Sequence, residues 1–418
     1  MIKRLSAKPI IIKNKNFQTI QVKVLFPFVD KEENLAKTIL LPSMLMYMNE
    51  KYDTEEKFQK EKKRNYILGT GCSKIVVGTT GYFCFSMTVP DAKVLGVNNL
   101  EKQFSFLEEM IYHPKVIDMG FDKFEVEREK NNLKMGIKNS IKKLKVYQTI
   151  KSLELVDDYG VLSRCVENHD YLIDEVTPQN LYEFYINSIS NKQPLIFVMG
   201  NVDKDEITAY VDKYLYKTNK RSISFDKNYN YFLKPGNANV KIVNEKSHFK
   251  DSSVSLFYKV QDMSEHDFIY LGLVKGLLSS LSSRLLSKKL RDQYELIYSS
   301  KVVTYPHFGL FEITAFINAK NRDLTVEKIK EVMSELKDVE YIEPFLEKLK
   351  ERRRINLIKS LDDKYDIMED VILKRLDIDM SRKENYEIVK NIEAKEIVEF
   401  IDRLKLDTIY FIEEDKYE

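Results

Sequence analysis

Residues 282–300 read SSRLLSKKLRDQYELIYSS. Leu286, Leu290, Arg291, Leu296, Tyr298 and Ser299 are the side chains on which this stretch turns, with Arg291 and Tyr298 seven residues apart. An Arg fork can hydrogen-bond a peptide carbonyl or carboxylate, and a phenol can donate to a developing oxyanion. Taken alone, the stretch has a plainer reading, in which Arg291 ends an exposed helical turn and Tyr298 packs in a strand.

The stretch resembles a signature in the C-terminal domain of the insulinase/pitrilysin zinc peptidases, the inverted zincins whose metal motif is H-x-x-E-H. In that family it reads roughly S-R-L-x-x-x-L-R-x-x-x-G-L-x-Y-S. There are two departures: Glu295 replaces the glycine, and Ser283-Arg284 sits one residue too early for the opening pair. The resemblance implies that Arg291 and Tyr298 are the substrate-binding pair, which in the family acts near a zinc carried by a different domain.

Working outward, the 418 residues suffice for two domains of about 200 residues, each with its own core. Hydrophobic residues make up 43% and charged ones 32%, the composition of a globular chain. Lys plus Arg is 67 against 65 for Asp plus Glu, and the resulting +2 gives no footprint for nucleic acid. The N-terminal stretch has no apolar run of signal-peptide length, and no membrane-length apolar segment occurs, so the expected location is the cytoplasm. Cys72, Cys84 and Cys165 lack C-x-x-C spacing and read as reduced, packed thiols.

Along its length the chain shows one pattern twice, the first time upstream of the signature. Residues 17–26, FQTIQVKVLF, alternate as a half-buried strand. A helix over residues 32–49 follows, with a kink or break expected near Leu41 because Pro42 cannot donate. Residues 54–64 read as a charged, solvated helix. Residues 73–77 and 82–89 read as a hairpin turned by Gly78-Thr-Thr-Gly81. Residues 100–112 form an amphipathic helix, residues 121–144 a long charged one, and PLIFVMG at 194–200 a buried strand, after which Asp203 can cap a helix.

After a polar stretch at 217–239 the order restarts with a strand at 252–258 and an apolar helix from His266 through Leu286. SKVVT at 300–304 echoes SKIVV at 73–77, a separation of 227 residues, and TIYFI at 408–412 closes the second half as residues 194–200 close the first. Strand, helices, hairpin, helices, strand occurring twice predicts an α+β chain of two tandem homologous domains, each an antiparallel-rich sheet packed with helices. The expected boundaries are 1–217 for a domain without a zinc motif, 218–238 for a linker, and 239–418 for a domain carrying the Arg/Tyr pair. The resemblance implies the same architecture, with the two domains forming half of a clamshell.

An inverted zincin needs two imidazoles four residues apart, a carboxylate base between them and a third ligand from another helix. The five histidines, His113, His169, His248, His266 and His307, include no such pair. Laid on the family motif, Ile39, Leu40, Leu41, Pro42 and Ser43 occupy its five positions. Val126-Glu-Arg-Glu129 matches the family's V-E-R-E, which puts Gly136 at the third-ligand position. Ile39, Pro42, Ser43 and Gly136 therefore stand where the family has ligands and base, and no catalytic residue is expected in this chain. Arg352-Arg-Arg354 reads as solvated helix surface.

The resemblance therefore implies a non-catalytic subunit of a two-chain zinc peptidase. No cofactor is expected in this chain, and zinc is expected in an active H-x-x-E-H partner subunit. Arg291 and Tyr298 would bind a peptide or small-protein substrate held at that zinc. Neither nucleic acid nor membrane is an expected partner, and the isolated chain can form a homodimer. The alternative reading is a scaffold or peptide-binding protein of the same fold with no role in hydrolysis.

Overall fold

The alternation at residues 17–26 builds the strand that centres the first sheet. The computed structural model describes residues 2–217, 222–236, 239–281 and 283–414. Ser282 of the signature and residues 218–221, 237 and 238 of the expected linker lie outside them. No helix of the described residues is long and apolar enough to cross a membrane.

The chain divides into two compact units, residues 1–139 with 164–229, and residues 140–163 with 230–418. In chain order the first unit holds β1 (Ile2–Ser6), β2 (Ile10–Lys13), β3 (Thr19–Val29), β4 (Gly69–Val77), β5 (Thr80–Pro90), β6 (Val116–Ile117), β7 (Gly120–Phe121), β8 (Leu195–Gly200) and β9 (Ser222–Asp226). The second holds β10 (Lys241–Ser247), β11 (Ser252–Val260), β12 (Ile297–Tyr305), β13 (Leu310–Ile317) and β14 (Leu404–Glu414).

The repeat is visible in the topology. One five-stranded sheet runs β2-β8-β3-β5-β4 and the other β10-β14-β11-β13-β12. Each carries a parallel pair at one edge, β2 on β8 and β10 on β14, and a hairpin at the other. The SKIVV and SKVVT segments both fall on the hairpin's edge strand, β4 and β12.

In the first unit Val22, Val24 and Phe26 of β3 are fully buried, as are Phe104, Leu107, Met110 and Ile111 of the helix Leu100–Tyr112. Each such side chain contributes roughly 1.5–3 kcal/mol by leaving water. The charged helix Glu55–Arg64 is capped by Thr54 and tied down by Phe58, which is wholly buried. Asp203 caps the helix Lys204–Tyr210 by accepting from the N–H groups of Asp205 and Glu206.

Four expectations need correction. The helix Leu35–Met46 runs through Pro42 without a break. Leu35, Ala36, Leu40, Leu41, Met44 and Leu45 are buried on it, and that apolar burial offsets the missing hydrogen bond. The apolar helix read from His266 through Leu286 is two pieces. Phe268–Ser279 ends at Ser280, which is extended at ψ 151°, and Arg284 is left-handed at φ 48°. The polar stretch at 217–239 contains β9, which pairs antiparallel with β1. The helix Leu144–Val156, read as part of the N-terminal half, packs in the second unit against β11 and β14.

That helix completes a sandwich. One face of the second sheet meets the helices Phe268–Ser279, Arg322–Glu335, Val339–Ser360 and Ala394–Asp402 around a core of Val254, Leu256, Leu277, Ile313 and Ile397. The other face is mixed and lies under Leu144–Val156: Phe257 and Leu310 pack with Val156, Tyr410 and Ile412 with Leu144 and Leu155, and a polar network sits among them. Gln148 donates to Ser255 Oγ at 2.8 Å and to Glu312 Oε1 at 3.2 Å, and Glu312 is fully buried. Lys301 reaches Glu312 Oε1 at 3.0 Å and donates to Thr149 Oγ1 at 2.7 Å. A buried carboxylate persists only when paired and hydrogen-bonded, which this network provides.

Candidate substrate-binding site

The signature folds into a short helix, a tight reversal and the edge strand β12. Ser283 Oγ donates to the carbonyl of Gly276 at 2.9 Å, anchoring the turn to the end of the preceding helix. Leu285–Ser287 is α-helical and Lys288–Gln293 is a π-turn. Leu285, Leu286, Leu290, Leu296 and Ile297 all enter the second unit's core, so the segment is rigidly seated. Lys289 is fixed by Glu331 at 2.6 Å and Glu335 at 2.5 Å, and those carboxylates hold its ammonium above the ordinary lysine range.

Glu295 reverses the chain with φ 51°. Its N–H donates to the carbonyl of Arg291 at 3.2 Å, and the N–H of Leu296 donates to Leu290 at 2.8 Å. This is a helix stop of the kind glycine favours, since a side chain in the left-handed region clashes with its own backbone. The family's glycine at this position has a physical reason, and Glu295 adopts the same conformation without it.

Arg291 leaves the last turn of the π-segment into solvent, and its guanidinium has no ion-pair or hydrogen-bond partner among the described residues. Tyr298 is 59% exposed and its hydroxyl likewise has no partner among them. Tyr298 sits at a bulge: Ile297 faces Ile317 and Ser299 faces Phe316, so Tyr298 has no opposite number on β13. A bulge re-aims the extra side chain and twists the strand locally. No hydrogen bond joins Arg291 to Tyr298; the structure presents them separately, on either side of the Glu295 reversal. The bulge was missed in sequence because register depends on residues of β13 that are remote in the chain.

The metal-motif positions look different. Ile39, Pro42 and Ser43 lie half-buried on the helix Leu35–Met46. Ser43 lines a recess of about 20 Å³ with Met44, Tyr47, Glu125 and Arg128, room for little more than one water. Arg128 occupies the polar side, pairing with Glu125 at 2.6 Å and Glu129 at 3.2 Å. Gly136, on the helix Lys123–Ser140, faces open space. These residues do not fit a zinc ion, since isoleucine, proline and glycine side chains offer no donor and the neighbouring carboxylates are spent on Arg128. Among the described residues no group of three His, Cys, Asp or Glu could hold a metal. The histidines lie apart: His113 closes the helix Leu100–Tyr112, His169 Nδ1 contacts Cys165 O at 2.9 Å, and His307 Nδ1 contacts Asn230 Oδ1 at 2.7 Å.

Residues 175–341 match the family described as the Peptidase M16 inactive domain. The chain is 22% identical over 410 residues to the probable inactive metalloprotease YmfF of Bacillus subtilis (strain 168), covering 96% of this chain and 94% of that one. It superposes on a conserved protein of Enterococcus faecalis V583 with TM-score 0.87, at 19% identity, over 100% of this chain and 99% of that one. A protease of Helicobacter pylori gives TM-score 0.78 at 15% identity, with 99% of each chain covered. The duplicated sheet, the absent H-x-x-E-H motif and these matches together support a metal-free member of the M16 peptidase family.

Proposed function

We propose that the protein is a non-catalytic subunit that joins an active H-x-x-E-H peptidase and supplies Arg291 and Tyr298 to the substrate. The observation that carries this reading is the contrast at the signature. The backbone around both residues is locked by buried leucines and by the Leu290–Leu296 closure, while the two polar side chains project unpaired. Rigid presentation of unspent donors is what substrate positioning requires, because ordering such groups on binding would otherwise cost affinity. The substrate is a peptide or small protein held at the partner's zinc. There Arg291 would bind a carbonyl or carboxylate, and Tyr298 would donate to the oxygen on which charge develops.

The test is cleavage of a quenched-peptide library, with zinc, by this chain, by an H-x-x-E-H relative from the same organism, and by their mixture. Activity confined to the mixture is expected. Arg291→Ala or Tyr298→Phe should lower it by about tenfold or more, toward the loss seen when an oxyanion donor is removed. Both variants should melt with the parent, since neither side chain packs. Full activity from a mixture containing the double variant would leave only a scaffold role, and zinc-independent hydrolysis by this chain alone would overturn the reading.

A further inference from the structure

The first sheet has a gap in its ladder. β3 runs to Val29, but β8 pairs with it only from Gln21 to Leu25. Beyond Leu25 the chain that leads into β8 turns away through Lys192, whose N–H bonds Ile189 O. On the opposite side β5 accompanies β3 to its end, Val29 facing Thr80.

Strand parity shows which backbone groups face the gap. The N–H of Asp30 donates to Thr79, and the carbonyl of Gln18 accepts from Asp91, so even-numbered residues of β3 point to β5. Odd-numbered residues point to the β8 side. The carbonyl of Pro27 and the N–H and carbonyl of Val29 therefore aim into the gap, and no hydrogen bond joins them to any described residue. Pro27 itself fits this account, for proline is tolerated in a sheet where its missing N–H faces an open edge.

The gap is also walled. It opens into a cavity of about 500 Å³, bounded by Phe28 and Phe184 on the helical side and by Ser224 and Phe225 of β9 on the other. Lys37 and Lys192 stand on the wall. Lys192 has no side-chain partner among the described residues, and Lys37 has only the amide of Asn34 at 3.5 Å. Lys31 is paired with Glu33, and Glu183 and Asp226 are the acids present.

We propose that this gap binds a short extended peptide bearing a carboxylate, which adds to β3 opposite Pro27 and Val29 and is held by Lys37 and Lys192. Strand addition supplies main-chain hydrogen bonds, and the two ammonium groups select an anionic end. The volume suits a ligand of a few residues. The site lies wholly in the first unit and is independent of the Arg291 and Tyr298 reading.

The experiment is fluorescence anisotropy with three rhodamine-labelled peptides, Val-Thr-Val-Thr with a free C-terminal carboxylate, its C-terminal amide, and Val-Thr-Asp-Thr amide. Binding of the first alone assigns the C-terminal carboxylate, and binding of the third assigns an acidic side chain. Either should weaken by about tenfold or more in Val29→Pro, which removes the N–H facing the gap while sparing the β5 ladder, but not in Val29→Thr. Lys37→Glu with Lys192→Glu should do the same, and because Lys192 is exposed and Lys37 only half-buried, that pair stands even if Val29→Pro melts early. No binding of any peptide up to about 1 mM, the weak end of specific association, would overturn the proposal. So would binding equally tight in the amide lacking any carboxylate, or binding that the lysine reversals leave unchanged.

Discussion

The N–H of Leu296 donates to the carbonyl of Leu290 at 2.8 Å, and this closure holds Glu295, between them, at φ 51°. Glu295 is exposed and its side chain makes no hydrogen bond or ion pair among the described residues that would offset that conformation. A left-handed non-glycine residue costs roughly 1–2 kcal/mol, against about 0.5–1 kcal/mol of extra chain entropy that glycine loses on folding. Glu295→Gly should therefore stabilise the second unit by roughly 0.5–1 kcal/mol, raising its melting temperature by about 2 °C. Glu295→Val should lower it, because a β-branched residue tolerates positive φ least. Equal melting of all three proteins would show that the closure does not depend on this residue.

The same segment shows how far the sequence could be read. Relative to the family signature, Ser283-Arg284 sits one residue early, and the structure places a π-turn at Lys288–Gln293, between that pair and Glu295. A π-turn accommodates one extra residue in a helix, which matches the one-residue offset in number. The tandem order of strands and helices was legible because periodicity is local. The helix through Pro42, the break at Ser280 and the seating of Leu144–Val156 on the second sheet were not. Each is decided by what packs against the segment from far along the chain. Likewise, only the register of β12 on β13 reveals the bulge at Tyr298.

The hairpin of the first sheet is tighter than its sequence suggested. Gly78 and Thr79 alone make the turn, and Gly81 lies inside β5 beneath the ring of Phe28. Gly78 has φ +58°, and a Cβ there would stand 2.1 Å from the carbonyl oxygen of Asn228. Gly78→Ala should destabilise the first unit by about 3 kcal/mol or more, since backbone cannot yield as a side chain can. A urea titration followed by tryptophan-free circular dichroism reads this directly; a midpoint matching the parent would contradict the turn geometry.

Glu312 and Lys301 form a pair whose members are unequal. Glu312 is wholly buried, while Lys301 retains 27% exposure at its side chain. Removing the lysine as Lys301→Met leaves the carboxylate with Gln148, Thr314 and Tyr305 as its hydrogen-bond donors. An uncompensated buried charge costs about 3–5 kcal/mol, and the partial exposure of Lys301 reduces this to roughly 2–3 kcal/mol. Adding Glu312→Gln should recover part of that loss, because the amide keeps the shape and removes the charge. A double variant less stable than Lys301→Met would show that the charge is not what the network serves.

The acid limb of stability should report a second carboxylate. Glu384 accepts from Lys374, from Ser381 Oγ at 2.7 Å and from the Ser381 N–H at 3.0 Å, closing the capping box of the helix Arg382–Val389. The hydrogen bond from Lys374, then those from Ser381, lower its carboxyl to about 2 from an ordinary 4.5. With the folded value below the unfolded one, the unfolded chain binds the proton first. The stabilisation is therefore complete above the ordinary value and is lost as pH falls from 4.5 toward about 2. Glu384→Gln should be less stable than the parent near neutrality, and the difference in urea midpoint should shrink steadily across that interval. Because the group is fully exposed, added salt should also narrow the gap at neutral pH by screening the lysine contribution, leaving the share due to the serine cap. A difference that stayed constant down to about pH 2 would mean that the capping geometry, and not the charge on Glu384, holds this helix terminus.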